Sequence, residues 1–219
     1  MWSRFYIIGS SLGPMSNACQ ATDMIDRRLP LVLATVGVLL FAAGLLLWWQ
    51  APLDVALHHS LRLDPGLPVK PVVRLSALGG LLVMGPIALA VALLLLVRGE
   101  RREALWLFAT IAVGRLIVEG GKDLVHRARP PIADRLEHVS SWSFPSSHSA
   151  GTMMTALAIA LVARSGWAGL LVAMLAAGTI GWTRAALGVH WPSDVLAGWG
   201  FGLAWVGLAW RYGAPTRSG

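Results

Sequence analysis

Six long apolar blocks constrain this chain more than any other feature. They run from about Leu29 to Trp49, Leu75 to Val97, Ala104 to Gly120, Ser149 to Val162, Ala168 to Leu187 and Val195 to Trp210. A bilayer crossing takes about 20 apolar residues. Inside lipid every backbone N–H and C=O needs a partner within the protein, so each block reads as a helix. The fourth block is short and gains length if its helix starts near Ser146. The expected fold is all-α, a six-transmembrane-helix bundle with its active site at one membrane face. Residues 1–28 read as an N-terminal tail, 29–212 as the membrane domain and 213–219 as a C-terminal tail.

Composition excludes the main alternatives. Charged residues are only 13% of the chain, against about 25% in soluble proteins. The same figure, with 56% apolar residues, excludes disorder. The single cysteine, Cys19, excludes a disulfide framework and a cysteine-based zinc site. Residues 1–28 lack the apolar core of a signal peptide. The first block is longer than such a core and ends in Trp48-Trp49-Gln50, so it reads as a retained helix. Met15 and Met24 are alternative starts.

The net charge is +7. The basic residues sit mostly between apolar blocks, which points to membrane orientation and anionic ligands and away from nucleic acid. With the N-terminus inside, inner segments hold nine Arg and outer segments hold eight Lys and Arg. Setting aside Lys122, Arg129 and Arg184 for chemistry leaves nine against five, which favours that orientation. Trp48, Trp49, Trp106, Trp167, Trp182, Trp191 and Trp210 fall near block ends, where an amphipathic ring suits the interface. In the segment 51–74, Leu53, Val55, Leu57, Leu61 and Leu63 alternate with polar groups, and Pro65, Pro68 and Pro71 follow. A short amphipathic surface helix and then an extended piece are expected.

Three polar clusters interrupt the apolar chain. Lys122 to Pro130 follows the third block, Pro145-Ser146-Ser147-His148 opens the fourth, and Thr183-Arg184, His190 and Asp194 span the fifth-to-sixth turn. In an up-and-down bundle these connections emerge on one face, so all three can share a pocket. Polar groups at membrane depth are expensive and mark function. Lys122, Arg129 and Arg184 supply three cations, and such a cluster without paired acids would repel itself, so it calls for an anion. The guanidinium fork fits phosphate oxygens and the ammonium acts as a point charge. Ser146 and the N–H groups opening the fourth helix add donors at a positive dipole end. This is a phosphate cradle that uses no metal. Asp194, four residues after His190, can hold one ring nitrogen and leave the other as a nucleophile. His148 is placed as an acid for the leaving oxygen. The logic is phosphoryl transfer to His190 followed by hydrolysis, with the cations stabilising the equatorial oxygens.

Lys-x6-Arg-Pro, Pro-Ser-x-His and Arg-x5-His-x3-Asp, in this order, resemble the three motifs of the type-2 phosphatidic acid phosphatase superfamily. That superfamily also holds the vanadium-dependent haloperoxidases. The resemblance covers roughly Ala104 to Trp210. It implies His190 as nucleophile, Asp194 as its partner and His148 as general acid. It implies phosphate contacts from Lys122, Arg129, Ser146, Ser147 and Arg184, and no cofactor. Ser147 stands where the family commonly has Gly, and Thr183 where it has Ser. The implied activity is hydrolysis of membrane lipid phosphates or diphosphates, with undecaprenyl diphosphate, phosphatidylglycerophosphate and phosphatidic acid as leading substrates. The implied setting is a bacterial inner membrane with the site facing the periplasm. A lipid phosphotransferase, a haloperoxidase and a non-enzymatic lipid or anion transporter are the competing readings, and the oligomeric state stays open.

Plainer roles stand beside these. His190 and Asp194 can cap the sixth helix with Pro192. Lys122, Arg127 and Arg129 can form a headgroup-binding run. Ser146 or Ser147 can be an N-cap. Arg115 and Glu119, four apart, read as an ion pair within the third helix. His58-His59 has no third metal ligand in view. Gly79-Gly80 and Gly120-Gly121 read as points of close helix approach.

Overall fold

The computed structural model describes residues 15–64 and 66–215, with side chains from Arg28 onward. The first fourteen residues of the expected N-terminal tail and the last four of the C-terminal tail lie outside the described residues. The helices are α1 (Met15–Trp49), α2 (Ala51–Leu61), α3 (Val69–Ala77), α4 (Leu81–Val97), α5 (Arg101–Val125), α6 (Ser147–Val162), α7 (Gly166–Ala186) and α8 (Pro192–Gly213). A 3-10 turn covers Ile132–Asp134. No strand occurs among the described residues.

Each apolar block falls in helix, but the second is divided. Its helix begins earlier, at Val69, and breaks between Ala77 and Leu81. Pro71 does not prevent this early start. It sits in the first turn of α3, where its missing N–H has no intrahelical partner to lose. The break sets Gly79 against α6 and α7. A Cβ there would lie 2.2 Å from Ile180 Cγ2 and 2.8 Å from Thr152 Oγ1. Gly120 differs from the expectation, since a Cβ on it would meet nothing within 4 Å. The short fourth block extends back to Ser147, and Ser146 is its N-cap, accepting from the Ser149 N–H.

Four segments are long and apolar enough to cross a bilayer: Arg28–Trp49, Val69–Val97, Arg101–Val125 and Gly166–Ala186. Their outward faces carry bare aliphatic side chains such as Leu82 at 92% and Leu116 at 72% exposure. Such a surface is stable against lipid and not against water. The protein is therefore an all-helical integral membrane protein.

The core centres on α8, which packs on α1, α6 and α7. Contact between α1 and α8 depends on missing side chains. A Cβ on Gly37 would lie 2.2 Å from the Ala204 nitrogen, and one on Gly200 would lie 2.3 Å from the Phe41 nitrogen. Backbone touches backbone here, which suits helices that have no hydrophobic drive to associate inside lipid. Trp106 and Trp210 pack edge to face in the core, with ring centroids 5.0 Å apart. They are core residues, whereas Trp49 and Trp167 stand exposed as interface rings would.

Helix α2 is amphipathic in the inverted sense. Its apolar Leu53, Val55 and Leu61 are exposed, while Asp54 and His58 are buried. A lipid-facing helix turns its polar side inward when the protein beneath offers partners. Those partners belong to the site described next.

Candidate active site

Four helix ends and two loops bring the polar clusters together. Lys122 lies in the last turn of α5 and Arg184 in the last turn of α7. Ser146, Ser147 and His148 open α6, and Asp194 lies in the first turn of α8. Arg129 comes from the loop after α5, and His190 from the short turn between α7 and α8. That turn reverses at Gly188, whose φ of +67° places it in the left-handed region that favours glycine. The Leu136 N–H donates to the Leu187 carbonyl, which ties the 126–146 loop to the same turn.

His190 is buried, at 1% exposure. Its Nδ1 lies 3.4 Å from Asp194 Oδ2 and 3.4 Å from Ser143 Oγ. Its Nε2 lies 3.1 Å from Arg129 Nη1. A carboxylate on the Nδ1 side favours the proton there and leaves the lone pair on Nε2. Burial first, then repulsion from Arg129, Arg184, Lys122 and His148, holds the imidazole well below its usual value. The ring is neutral at neutral pH, as a nucleophile must be.

Asp194 combines two of the roles open in the sequence. Its carboxylate accepts the Trp191 N–H at 3.0 Å, a cap for α8, and also the Ser143 hydroxyl and Arg127 Nη1. Its backbone carbonyl accepts the Ser146 N–H at 3.1 Å, joining the starts of α6 and α8. The helix cap and the histidine partner are one residue.

The cations are not bare. Lys122 Nζ donates to the Trp142 carbonyl at 3.0 Å. Arg129 donates to the carbonyls of Ser141 and Val189, each at 2.6 Å. Burial, then repulsion from Arg184, pulls the Arg129 guanidinium down to about 10. Arg184 Nη1 donates to Ser76 Oγ and to Glu137 Oε2, each at 2.6 Å. Glu137 corrects the expectation of a cluster without acids. Its carboxylate, 26% exposed, occupies a fork that the sequence reserves for phosphate.

Several contributors were not legible in sequence. Arg127, grouped there with a possible headgroup-binding run, bridges two buried acids. Nη2 pairs with Asp54 at 2.7 Å, and Nη1 pairs with Asp194 and also donates to Ser193 Oγ at 2.7 Å. Asp54 also accepts the Ser193 N–H at 3.0 Å. Trp48 covers this bridge, its ring centroid 4.7 Å from the Arg127 guanidinium carbon. A lone acid in the apolar stretch 51–57 was the available signal for Asp54. Ser143 carried none. Arg115 does not serve its expected pairing with Glu119; its Nη1 donates to the Ser147 carbonyl at 3.1 Å.

A third group does stand beside His58 and His59. Their ligand atoms and those of Asp134 lie within 4.8 Å of one another. Arg62 already faces that carboxylate at 3.4 Å, so its charge is met without a metal ion.

Known proteins share stretches of this sequence and its fold. A 64-residue stretch is 44% identical to YbjG of Escherichia coli K12, which carries a provisional name as an undecaprenyl-diphosphatase; it covers 29% of this chain and 31% of that protein. Phosphatidylglycerophosphatase B of Bacillus subtilis is 33% identical over 109 residues, covering 46% of this chain and 53% of its own. Decaprenylphosphoryl-5-phosphoribose phosphatase of Mycobacterium tuberculosis is 36% identical over 115 residues, 50% of this chain and 62% of its own. The matched part thus spans less than two thirds of each of these relatives. The crystal structure of a transmembrane PAP2-type phosphatidylglycerolphosphate phosphatase from Bacillus subtilis superimposes with a TM-score of 0.69 at 25% identity, over 82% of this chain and 93% of that one. The family model of the PAP2 superfamily matches residues 103–217, the stretch that carries all three polar clusters, and the chain belongs to that superfamily.

Proposed function

We propose that the protein is a metal-independent membrane phosphatase that hydrolyses lipid phosphate monoesters or diphosphates through a phosphohistidine. One observation carries the reading. The buried His190 has Asp194 behind Nδ1 and Arg129 at Nε2, within the electrostatic reach of Arg184 and Lys122. Undecaprenyl diphosphate, phosphatidylglycerophosphate and phosphatidic acid are the leading substrates. The names of the relatives support the first two.

The chemistry follows from the groups present. A substrate phosphate enters between the cations and displaces Glu137 from Arg184 and Arg129 from His190. The freed Nε2 lone pair attacks phosphorus as the bond to the leaving oxygen breaks. His148 gives its proton to that oxygen. The substrate's own negative charge lets His148 hold the proton amid the surrounding cations. Lys122, Arg129, Arg184, Ser146 and the Ser147 N–H hold the equatorial oxygens as charge builds. Water then attacks the phosphohistidine, and His148 takes the proton of that water as phosphate leaves. Asp194 stabilises the positive charge that His190 acquires.

Six spans are proposed: α1, the α3–α4 pair, α5, α6, α7 and α8. With Arg28 on the inner side, the site lies at the outer face, which is the periplasmic face of an inner membrane. Lipid phosphates reach it from the headgroup layer.

The test is phosphate release by purified protein in detergent with excess EDTA, on the three lipids side by side. Release from at least one, abolished by His190→Ala, is expected. A folded wild-type protein that releases phosphate from none of them overturns the reading.

A further inference from the structure

Arg115 is a half-buried cation that the mechanism above does not use. It lies on α5 seven residues before Lys122, two helical turns away. Its guanidinium reaches across to α6 and lies on Gly151, where an added Cβ would come within 2.3 Å of the guanidinium carbon. Gly151 is one turn past His148 on the same helix. One nitrogen, Nη1, donates to the Ser147 carbonyl at 3.1 Å. The other two, Nε and Nη2, are buried and without any hydrogen-bond partner. A buried guanidinium with two unmet donors is costly unless something supplies acceptors. Glu119, one turn on, exerts a Coulombic pull on Arg115 but does not take up these two nitrogens.

The surroundings indicate what would. Arg115 lines a cavity of about 520 Å³ together with Leu81, Leu116, Glu119, Ser147 and His148, the Glu119 carboxylate being exposed to solvent. Leu81 and Leu116 are open to the lipid side, at 61% and 72% exposure. In the proposed reaction His148 protonates the leaving oxygen, so the remainder of the substrate extends from His148 into this cavity. The apolar wall suits a hydrocarbon chain. A cation that shares this cavity with His148 suits a second negative group carried by the leaving portion.

We propose that Arg115 forms a second anion subsite, which binds the phosphate retained by the leaving group and makes lipids with two phosphates better substrates than lipids with one. The inference rests on the phosphatase reading for its orientation. In a lipid diphosphate the terminal phosphoryl goes to His190 and the departing group is the lipid monophosphate. Arg115 Nε and Nη2 then meet two of its oxygens, the paired geometry that guanidinium groups favour. Phosphatidic acid leaves as an uncharged alcohol and gives Arg115 nothing to bind.

The test compares wild type, Arg115→Gln and Arg115→Lys in detergent. The readout is the ratio of kcat/KM for a polyprenyl diphosphate to that for phosphatidic acid. Arg115→Gln is expected to lower this ratio at least ten-fold, and Arg115→Lys to restore part of it. A ratio that stays constant, whether both rates fall together or neither moves, overturns the proposal. Calorimetric binding of methylenediphosphonate and methylphosphonate to the wild type provides a readout without turnover. Tighter binding of the diphosphonate by ten-fold or more is expected, and equal affinity overturns the proposal even if Arg115→Gln fails to fold. A wild type that releases phosphate from neither lipid, nor from phosphatidylglycerophosphate, refutes the phosphatase reading, and the phosphonate comparison still judges the subsite.

Discussion

His190 illustrates how single residues combine roles here. Its Nε2 is the proposed nucleophile, yet in the unliganded protein Arg129 donates to that atom. The same guanidinium that is to stabilise the transferring phosphoryl group protects the lone pair until substrate arrives. A neutral ring is essential. Protonation needs a pH below the depressed value that burial and the cations impose, so the neutral form persists as pH falls through 6.5. Imidazole NMR of the detergent-solubilised protein should show His190 uncharged at pH 6. A charged ring at that pH would contradict the assignment. Asp194→Asn keeps the cap on α8 but gives up the charge behind Nδ1. We expect kcat to fall by roughly 100-fold or more, together with a lower melt because Arg127 loses one of its two buried carboxylates. Glu137→Gln removes the carboxylate that competes with substrate for Arg184. Inorganic phosphate or vanadate should then inhibit at several-fold lower concentration, and unchanged inhibition would show that Glu137 does not compete.

At the scale of helices, two contacts hold the site in register. The first is the glycine-lined seam between α1 and α8, which fixes the helix that begins beside His190. Gly200→Leu would drive a side chain into the Phe41 backbone. Overpacking of this kind costs about 1–3 kcal/mol, so a clear drop in melting temperature is expected. The second is the Asp54–Arg127–Asp194 bridge, which ties the surface helix α2 to the start of α8. Arg127→Met leaves two buried carboxylates without their cation. Breaking a buried pair in this way costs about 3–5 kcal/mol, so this variant should express poorly or melt early. Asp54→Asn/Arg127→Met together should recover stability relative to Arg127→Met alone.

Across the whole molecule, every connection that carries a candidate catalytic group emerges on one side. Helix α2 lies on that side too, because Asp54 touches Ser193 and Arg127. The opposite side carries Arg98, Arg101, Arg102 and Arg164 at helix ends and Arg28 where the first apolar span begins, and from the positive-inside rule we propose that this side faces the cytoplasm. Single cysteines at Ala133 and Arg101, placed in a Cys19→Ser background, test this arrangement. An impermeant maleimide applied to intact cells should label the first and spare the second. The reverse pattern would invert the topology.

Helix existence and the chemical type of the site were both legible in the linear chain. The reason is that lipid solvation demands long apolar runs, which makes any departure conspicuous. Lys122, Arg129, His148, Arg184, His190 and Asp194 stood out because a charge at membrane depth has few bland explanations. The supporting shell was hidden. Asp54, Ser143 and Glu137 reach the site from segments far apart in sequence, and a serine or acid in a loop is unremarkable until its partner is known. The break between α3 and α4 was hidden as well, since Gly79 serves a contact with Ile180 about 100 residues away. Hydropathy is a property of one segment and can be read along the chain. Which donor meets which acceptor depends on how helices lie side by side, and only the folded bundle brings those groups within hydrogen-bond distance.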